Sequence, residues 1–384
     1  MAVSPRLHVL LGAGGVGKTT LAAGFAIALA RSGARVGLLG IDPARRLQAA
    51  LGVPLVDASA PVEGWQSESG TPAPARNAAE RSDPPAQAIA GALDAAILRP
   101  ADCLRHWAAE SIPDPDTLDR LLRNTFFLAL ADRLAAASDV IAAIRLAEWA
   151  ERDPAVTDLV IDTAPGLNAI DFLRRPKALT TFLEGRLVRW LRAIAPSGGG
   201  GAIGDVLRGG ARRATLGLSR LGGTRLLLEL GDFLALIEAM FELMLARLDR
   251  AQRWLHDPAT QILLVTAVRD DAAEAAAKIA DALHATGIAP RAAVLNRTLP
   301  DGLAAELDAI ARDPAAVASL PREARVVATY ARLYIDVQRR VAQSVSQLAP
   351  RLVILPSARG LDEDARLSAL AALGERLRLG LRST

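Results

Sequence analysis

A glycine-rich segment near the N-terminus combines the residue types that bind a chain of phosphates. It reads GAGGVGKTT over Gly12–Thr20, fits the pattern G-x-x-x-x-G-K-[ST], and lies between a strand-like run, His8–Leu11, and a helical run, Thr19–Arg31. Glycines have no Cβ, so successive backbone N–H groups can converge on phosphate oxygens, and the positive end of the following helix adds to the attraction. Lys18 can reach the β and γ oxygens, while the Thr19 hydroxyl can coordinate a magnesium ion that bridges the same oxygens. We therefore expect a nucleoside triphosphate and Mg²⁺ to bind at Gly12, Gly14, Gly15, Val16, Gly17, Lys18, Thr19 and Thr20.

Two carboxylates follow strand-like runs further along the chain. Asp42 comes after Val36–Leu39, and Asp162 comes after Leu159–Ile161. The carboxyl ends of strands in an open α/β sheet share the edge where ligands bind, so we expect both side chains near the phosphates. A carboxylate there can bind magnesium through water or orient an attacking water, and phosphoryl transfer needs both. The alternative is a solvated or helix-capping aspartate, since Asp42 followed by Pro43 resembles a helix start.

The apolar runs predict an alternating α/β fold. The first 56 residues read as strand, glycine-rich turn, helix and strand, which is a βαβ unit. Strand-like runs recur at 262–265, 292–295 and 352–355, each beside a helical stretch, so we expect a mostly parallel sheet flanked by helices. Helical spacing at 95–150 and 176–256 interrupts this alternation and predicts an added α-helical lobe.

These patterns divide the chain into three parts. The predicted nucleotide-binding α/β core comprises residues 1–56, 155–176 and 258–384, and the predicted helical lobe comprises 91–150 and 177–256. The segment 57–90 is rich in Pro, Ala and Ser without an apolar period, which is typical of a mobile loop.

Composition argues against several classes of protein. Lys and Arg exceed Asp and Glu by three and are interleaved with them, so no nucleic-acid partner is expected. The single cysteine, Cys103, rules out an intramolecular disulfide and a cysteine metal cage within one chain. Long apolar stretches such as Leu226–Leu248 carry acidic residues, so no transmembrane helix is predicted. The first strand-like run begins too early for a cleavable signal, and we expect a cytoplasmic protein.

Three segments together resemble the ArsA family, which includes the arsenite-pump ATPases and the ATPases that target tail-anchored membrane proteins. The segments are GGVGKTT, LGIDPARRLQAALG at 39–52 and IDTAPGLNAIDFLRRP at 161–176. The resemblance is closer to the bacterial branch and is strongest at these three segments. It implies a P-loop ATPase of the SIMIBI class that binds ATP and Mg²⁺ as a dimer. A lone Cys103 cannot form the cysteine metal sites of some members, so arsenite sensing is not expected.

The resemblance also implies roles for individual residues. It makes Asp42 the switch I carboxylate that positions the hydrolytic water, and it gives Asp162, which opens switch II, a role beside the magnesium. Asn296, in AVLNR, would read the adenine, although Asn after a strand is also a common turn residue. Pro356, in ILPSA, would pack near the base. The switch II glycine is Gly166, which comes one residue earlier than in the family pattern.

One departure concerns a second, signature lysine. Members of this class place it two residues after the opening strand, and it crosses a dimer interface to the partner's phosphates; the position here is Ala13. With Asp42 and Lys18 as the catalytic residues but without that cation, a homodimer would stabilise the transition-state charge poorly and hydrolyse ATP slowly. A paralogous partner in a heterodimer could supply the lysine, or Arg45 or Arg46 could replace it.

The predicted helical lobe carries a broad apolar face on one long helix, 226–255. In the targeting ATPases such a lobe forms a groove for a hydrophobic client helix, and nucleotide sets the opening of the groove. The alternative is that the face packs against its own neighbours at 105–150. The candidate groove residues are Phe233, Ile237, Met240, Phe241 and Met244.

A C-terminal helix is predicted at 364–381, with leucines on one face and arginines elsewhere. We expect it to dock onto the sheet. The alternative is a helix that lies on a membrane, as in MinD-type ATPases, so membrane contact would be peripheral at most.

The sequence as a whole predicts an ATP-dependent switch of the ArsA type. Two protomers, identical or paralogous, would close around ATP and Mg²⁺, and the helical lobes would capture and release a hydrophobic or protein cargo. One alternative, favoured by Ala13, is a weakly catalytic regulatory subunit of an ATPase heterodimer. Another is a ParA- or MinD-like positioning ATPase that acts on membrane or DNA.

Overall fold

The structure is a computed structural model that describes residues 4–41, 45–55, 60–62, 91–135, 138–163, 223–357 and 366–382. The strands of this part are β1 (Arg6–Gly12), β2 (Arg35–Gly40), β3 (Ala60–Pro61), β4 (Ala92–Ile97), β5 (Asp158–Asp162), β6 (Gln261–Ala267), β7 (Ala292–Thr298) and β8 (Leu352–Pro356). Its helices are α1 (Lys18–Arg31), α2 (Arg45–Leu51), α3 (Pro100–Ser111), α4 (Pro115–Leu122), α5 (Thr125–Ala135), α6 (Ser138–Arg152), α7 (Gly223–Leu255), α8 (Asp270–His284), α9 (Asp301–Arg312), α10 (Pro314–Ser319), α11 (Arg322–Ser346) and α12 (Arg366–Arg382).

The described strands form one sheet in the order β3-β4-β2-β5-β1-β6-β7-β8. Neighbouring strands are parallel except for the two-residue β3, which is antiparallel to β4. β1 lies between β5 and β6, so that Leu10 is opposite Asp162 and Gly12 is opposite Val265. The α/β fold with a mostly parallel sheet and flanking helices is therefore confirmed, and the carboxyl ends of distant strands meet at one edge.

Strand β4 differs from the sequence interpretation, which placed residues 91–97 in the helical lobe. Its sequence, ALDAAI, is dominated by good helix formers, and local propensity therefore points the wrong way. Pairing with β2 along the whole strand, from Arg35 opposite Ala92 to Gly40 opposite Ile97, stabilises the extended form instead. Burial of Leu93, Ala95 and the residues after it adds to this tertiary preference.

Helix α1 begins at the phosphate-binding loop and lies in the centre of the core. Every residue from Leu21 to Ala30 is buried, so the helix is apolar on all sides, as expected for an element covered by the sheet and by other helices. It ends at a turn where Gly33 has φ 93°, a conformation that favours glycine. Packing along the whole length of α1 therefore fixes the position of its first residues.

The C-terminal helix α12 packs against α1 and β8. The two helices approach most closely at a pair of glycines: a Cβ on Gly374 would lie 1.8 Å from the carbonyl oxygen of Gly24. Leu370, Leu373 and Leu377 are buried in this contact region. The apolar face that could have lain on a membrane is thus covered within the protein, as expected for a helix that docks onto the core.

The described residues fall into two compact units. Unit 1 contains those within 1–97, 149–171 and 254–384, and unit 2 contains those within 98–148 and 172–253. Unit 1 holds the sheet, and unit 2 is helical. Among the described helices of both units, none combines the length and the apolar character needed to cross a membrane.

The candidate groove residues of α7 lie in the interior of unit 2. Phe233, Ile237, Met240, Phe241 and Met244 are each between 0% and 7% exposed. The ring of Phe233 also lies near that of Phe126 on α5, with a centroid distance of 6.0 Å. These five side chains therefore support the alternative in which the apolar face is core.

Unit 2 also contains a buried polar network that the sequence did not indicate. The carboxylate of Glu148 accepts a hydrogen bond of 2.7 Å from the Trp107 indole and forms a 3.0 Å ion pair with Arg145. His106 Nε2 lies 3.3 Å from the same carboxylate. His106, Glu110 and Glu148 are close enough to share a cation, but Arg247 already binds Glu110 through two hydrogen bonds, as Arg145 binds Glu148. The arginines balance the carboxylate charge, which lowers the attraction for a metal.

A second buried network fixes the amino ends of β1 and β5 in unit 1. Asp158 is fully buried, and its carboxylate lies 2.8 Å from His8 Nε2 and 3.0 Å from the Arg6 guanidinium. The Thr157 hydroxyl donates a further hydrogen bond of 2.8 Å. Burial by itself raises the pKa of Asp158, but the hydrogen bonds and charge of these neighbours outweigh it, and the pKa falls below its ordinary value of 3.8.

We expect Asp158→Asn to destabilise the protein by about 1–3 kcal/mol at neutral pH, because it removes a buried carboxylate that is hydrogen-bonded to His8, Arg6 and Thr157. The folded pKa is lower than the unfolded one, so the carboxylate stabilises the fold above about pH 4 and this contribution disappears as the pH falls through the folded pKa. Denaturant unfolding of both proteins at pH 7, 4 and 3 should show the difference in unfolding free energy shrinking towards acid.

The matched control is Asp271→Asn, because Asp271 is also paired with an arginine, Arg269, but both side chains are exposed. It should change stability little at any of these pH values. If the difference in unfolding free energy between wild type and Asp158→Asn stays constant from pH 7 to pH 3, the lowered pKa of Asp158 does not contribute to stability as we expect.

Candidate nucleotide-binding site

The loop between β1 and α1 adopts a conformation that needs glycine at defined positions. Gly15 and Gly17 have φ values of 76° and 95°, in the left-handed region. Gly12 is required for a different reason: a Cβ there would lie 2.2 Å from the carbonyl oxygen of Val265 on the neighbouring strand β6. The shape of the loop therefore requires glycine for two reasons. Gly12 must fit against strand β6, and Gly15 and Gly17 must adopt left-handed backbone conformations.

Lys18, the first residue of α1, turns back over the loop. Its ammonium donates hydrogen bonds of 3.0 Å to the carbonyl oxygen of Gly12 and 3.1 Å to that of Ala13. The side chain is only 7% exposed, so its charge is poorly hydrated and interacts strongly with an anion that enters the loop. Ala13 itself packs its methyl group against the core and offers only its carbonyl to this arrangement.

Asn296 supports the loop from strand β7. It is 5% exposed, and its Nδ2 donates a 2.9 Å hydrogen bond to the carbonyl oxygen of Val16. The contact is tight, because a Cβ on Gly17 would lie 2.4 Å from the same nitrogen. The ArsA resemblance implies that Asn296 reads the adenine; in the structure its amide nitrogen is bound to the loop.

Asp162 is the last residue of β5, beside β1, and Thr163 directly follows it. Asp162 is 2% exposed and lies opposite both Leu10 of β1 and Gly40 of β2. The Thr163 hydroxyl donates a 2.6 Å hydrogen bond to the carbonyl oxygen of Leu10. The strand order therefore brings the carboxylate to the same sheet edge as the loop, with Thr163 facing the space above it.

A cleft of about 490 Å³ opens over the loop within unit 1. It is large enough for a nucleotide. The described lining includes four cationic side chains and neither Asp nor Glu, an electrostatic arrangement that suits a polyanion. The lining residues are Gly15, Gly17, Lys18, Thr19, Thr20, Arg46, Ala49, Ala50, Thr163, Arg297, Arg366 and Leu370.

Comparison with known proteins agrees with this geometry. Residues 7–333 match the CbiA family, the CobQ/CobB/MinD/ParA nucleotide-binding domain, and this range includes the loop, β5 and β7. The chain belongs to the CbiA family. The nucleotide-binding function that the sequence predicts for the loop is therefore confirmed at the level of this P-loop family. A search of curated proteins finds no match.

Several residues of this CbiA-family site were missed from the sequence. Thr163 and Arg297 directly follow residues that were chosen, Asp162 and Asn296, at the ends of parallel strands. The shared strand edge was the available signal for both. Arg366 gave no local signal: its Nη1 donates a 2.9 Å hydrogen bond to the carbonyl oxygen of Ala49, more than 300 residues earlier in the chain.

The remaining candidate residues are placed as follows. Pro356 is the last residue of β8, opposite Thr298 of β7, and it is not among the residues that line the cleft. Asp42 and Gly166 lie outside the described residues, and so does the side chain of Arg45.

We expect Gly17→Ala to weaken nucleotide binding by at least about tenfold, since it places a methyl group against Asn296 and displaces the phosphate-binding amides. It should also lower stability by about 1–2 kcal/mol through left-handed strain. Nucleotide titration and thermal unfolding of the purified variant measure the two effects.

Gly287→Ala separates strain from the contact with Asn296. Gly287 has φ 76°, and no atom lies within 4 Å of the position that a Cβ would take there, so this variant should lose comparable stability while it binds nucleotide normally. Equal affinities for wild type and Gly17→Ala would show that the fit between Gly17 and Asn296 does not matter for binding.

Proposed function

We propose that this CbiA-family protein is an ATP-dependent dimeric switch of the ArsA type, which couples nucleotide state to binding of a hydrophobic or protein cargo. The observation that carries the proposal is the cleft over the loop, where Lys18 and three arginines surround the phosphate-binding glycines. The described part of this lining is cationic and contains neither Asp nor Glu, and a triphosphate with several negative charges is the ligand that it favours. Three sequence segments resemble the ArsA family, whose members bind ATP, and we therefore propose adenine as the base.

The residues present fit a magnesium ion bound together with ATP. Thr19 lines the cleft and carries the hydroxyl that P-loop proteins use as a magnesium ligand. The buried carboxylate of Asp162, at the end of the strand next to β1, is the oxygen donor that would hold the ion through water. When bound, the ion neutralises charge that develops on the phosphate oxygens.

Hydrolysis would rest on Asp42 and Lys18. In this proposal Asp42 orients the attacking water and Lys18 stabilises the charge on the β and γ oxygens. Because Ala13 cannot supply the second cation of the class, Arg46 is the candidate replacement within the chain, and its side chain lines the cleft. An arginine already in the same chain would let the protein turn over without a lysine from a partner, although more slowly.

The cargo function belongs to unit 2 in this proposal. Five apolar side chains of α7 form part of its interior, so a client helix could reach them only after the neighbouring helices move apart. Closure of two protomers around ATP and Mg²⁺ would provide the change that opens or closes this face. Identical and paralogous protomers both fit this scheme.

A second candidate is a regulatory subunit that binds ATP to shape a heterodimer and hydrolyses little of it. Ala13 favours this candidate, because its methyl group packs on the core and no charge projects from that position. The two candidates share the nucleotide site and differ in turnover.

Binding of Mg·ATP to the full chain tests the part that both candidates share. We expect Lys18→Ala to weaken binding by about 10- to 100-fold, because a charge-assisted contact with phosphate is lost. Lys278→Ala is the matched control, since Lys278 is exposed on α8, and it should bind as wild type. Calorimetry that detects no binding of either adenine or guanine nucleotide to folded wild type with Mg²⁺ would refute the proposal.

Steady-state ATP hydrolysis separates the enzyme from the regulatory subunit. We expect the wild-type chain alone to turn over slowly and Asp42→Asn to reduce the rate by at least about 100-fold. Phosphate release should be measured for each protein alone and mixed with a paralogous ATPase. A rate that appears only on mixing, and that is unchanged by Asp42→Asn, would support the regulatory subunit instead.

A further inference from the structure

Arg297 has an unusual backbone conformation at the end of β7. Its φ is 62°, and within the described part of the chain it is the one residue other than glycine with positive φ. A side chain with a Cβ is strained in this region, and such residues persist where the surroundings enforce them, often at binding sites. The segment Leu295–Thr298 also contains a register irregularity in its pairing with β8.

Helix α11 and the residue that follows strand β8 hold the Arg297 segment in place. The hydroxyl of Tyr334 donates a hydrogen bond to the carbonyl oxygen of Arg297. Gln338, one turn later on α11, accepts a 3.0 Å hydrogen bond from the backbone N–H of Leu299, and Ser357 donates one of 2.8 Å to the carbonyl of Thr298. Burial raises the pKa of the Tyr334 phenol, against the opposing effect of the Arg297 charge, so the hydroxyl keeps the proton that it donates.

This backbone conformation directs the Arg297 side chain over the phosphate-binding loop. Its Nε is 4.0 Å from the position that a Cβ on Gly17 would occupy, and it lines the cleft together with Lys18 and Thr20. Among the described carboxylates, none forms an ion pair with it, in contrast to Arg269 or Arg339 elsewhere on the surface. Its charge therefore acts mainly on what enters the cleft.

The neighbouring polar groups have other tasks. Asn296 is bound to Val16 beneath the loop, and Arg366 is tied to the carbonyl of Ala49 on α2. In a regular strand, the side chains of Asn296 and Arg297 would point to opposite faces of the sheet. The left-handed conformation of Arg297 changes this direction, so that both side chains lie near Gly17. At the end of β7, Asn296 thus supports the loop, and Arg297 faces the cleft.

We propose that Arg297 binds the phosphates of the nucleotide and that Tyr334 is the positioning residue that holds Arg297 in its left-handed conformation. This inference rests on the proposed nucleotide function and adds to it a cation supplied by the same chain. The guanidinium donates hydrogen bonds to phosphate oxygens and reduces the net charge of the bound anion. Tyr334 acts only through Arg297.

The test is calorimetric titration of the full-length chain with ATP and ADP in the presence of Mg²⁺. Arg297→Gln should weaken binding by about tenfold or more, and Arg297→Lys should recover part of the loss, because charge remains. The dissociation constant of Arg297→Gln, divided by that of wild type, should become smaller at high salt, because salt screens the charge of Arg297. A purely structural role of Arg297 would not produce this change. Arg332→Gln, an exposed arginine on α11, is the control and should bind as wild type.

Tyr334→Phe should weaken binding several-fold and should add nothing in the Arg297→Gln background, as expected for two residues that act as one unit. Its control is Tyr330→Phe, because Tyr330 lies on the same helix and is 69% exposed. Arg297→Gly relieves the backbone strain, so its unfolding temperature should not be lower than that of wild type. It should still bind nucleotide weakly, because the guanidinium is lost. This variant separates lost binding from lost folding.

Three outcomes overturn the inference or part of it, and they are distinguishable. If wild type binds Mg·ATP, Lys18→Ala weakens binding, and Arg297→Gln binds as wild type, the role of Arg297 is wrong and the proposed function stands. If folded wild type binds neither adenine nor guanine nucleotide, the proposed function fails and this inference fails with it. Equal losses in Tyr334→Phe with and without Arg297→Gln would overturn the positioning role of Tyr334.

Discussion

The nucleotide site depends on the absence of a side chain at Gly17. The loop must run close enough to β7 for Asn296 to bind the carbonyl of Val16, and a methyl group on Gly17 would occupy the space that this contact needs. The same residue has a left-handed backbone, which turns the chain into α1. Lys18 then begins the helix with its ammonium over the carbonyls of Gly12 and Ala13. One small residue thus determines loop shape, helix start and lysine position together.

The parallel sheet converts this local geometry into a binding cleft. β1 is central, and its neighbours β5 and β6, with β7 beyond, end at the same edge. Residues more than 100 positions apart in sequence therefore surround the loop: Thr163 follows β5, Arg297 ends β7, and Arg366 comes from the C-terminal helix. The close contact of Gly24 with Gly374 fixes that helix against α1, so the arginine at its start is held near α2. A cationic cleft results without any acidic residue in its described lining.

Ala13 occupies the position at which the ArsA resemblance leads us to expect a second lysine, and it contributes no charge. At that position the chain offers a carbonyl to Lys18 and a methyl group to the core. The cations of the described lining are Lys18 and three arginines, and a planar guanidinium binds phosphate with fixed geometry. All four cationic side chains of the described lining therefore come from one chain. Unit 2 is also organised around internal contacts: five apolar side chains of α7 are buried, and two acidic residues of the unit, Glu110 and Glu148, are bound to arginines.

The sequence by itself determined the features that are encoded locally. The glycine pattern and its lysine identified the phosphate-binding loop, and runs of buried apolar residues identified β1, β2, β5, β6, β7 and β8, since strands of a parallel sheet are apolar on both faces. Tertiary structure decided the rest. It made β4 a strand although its alanines favour helix, because pairing with β2 and burial outweigh propensity. It bound Asn296 to the loop, put Arg297 over the glycines, and buried five apolar side chains of α7. Each of these depends on which distant elements pack together, and residue spacing along one chain does not specify that packing.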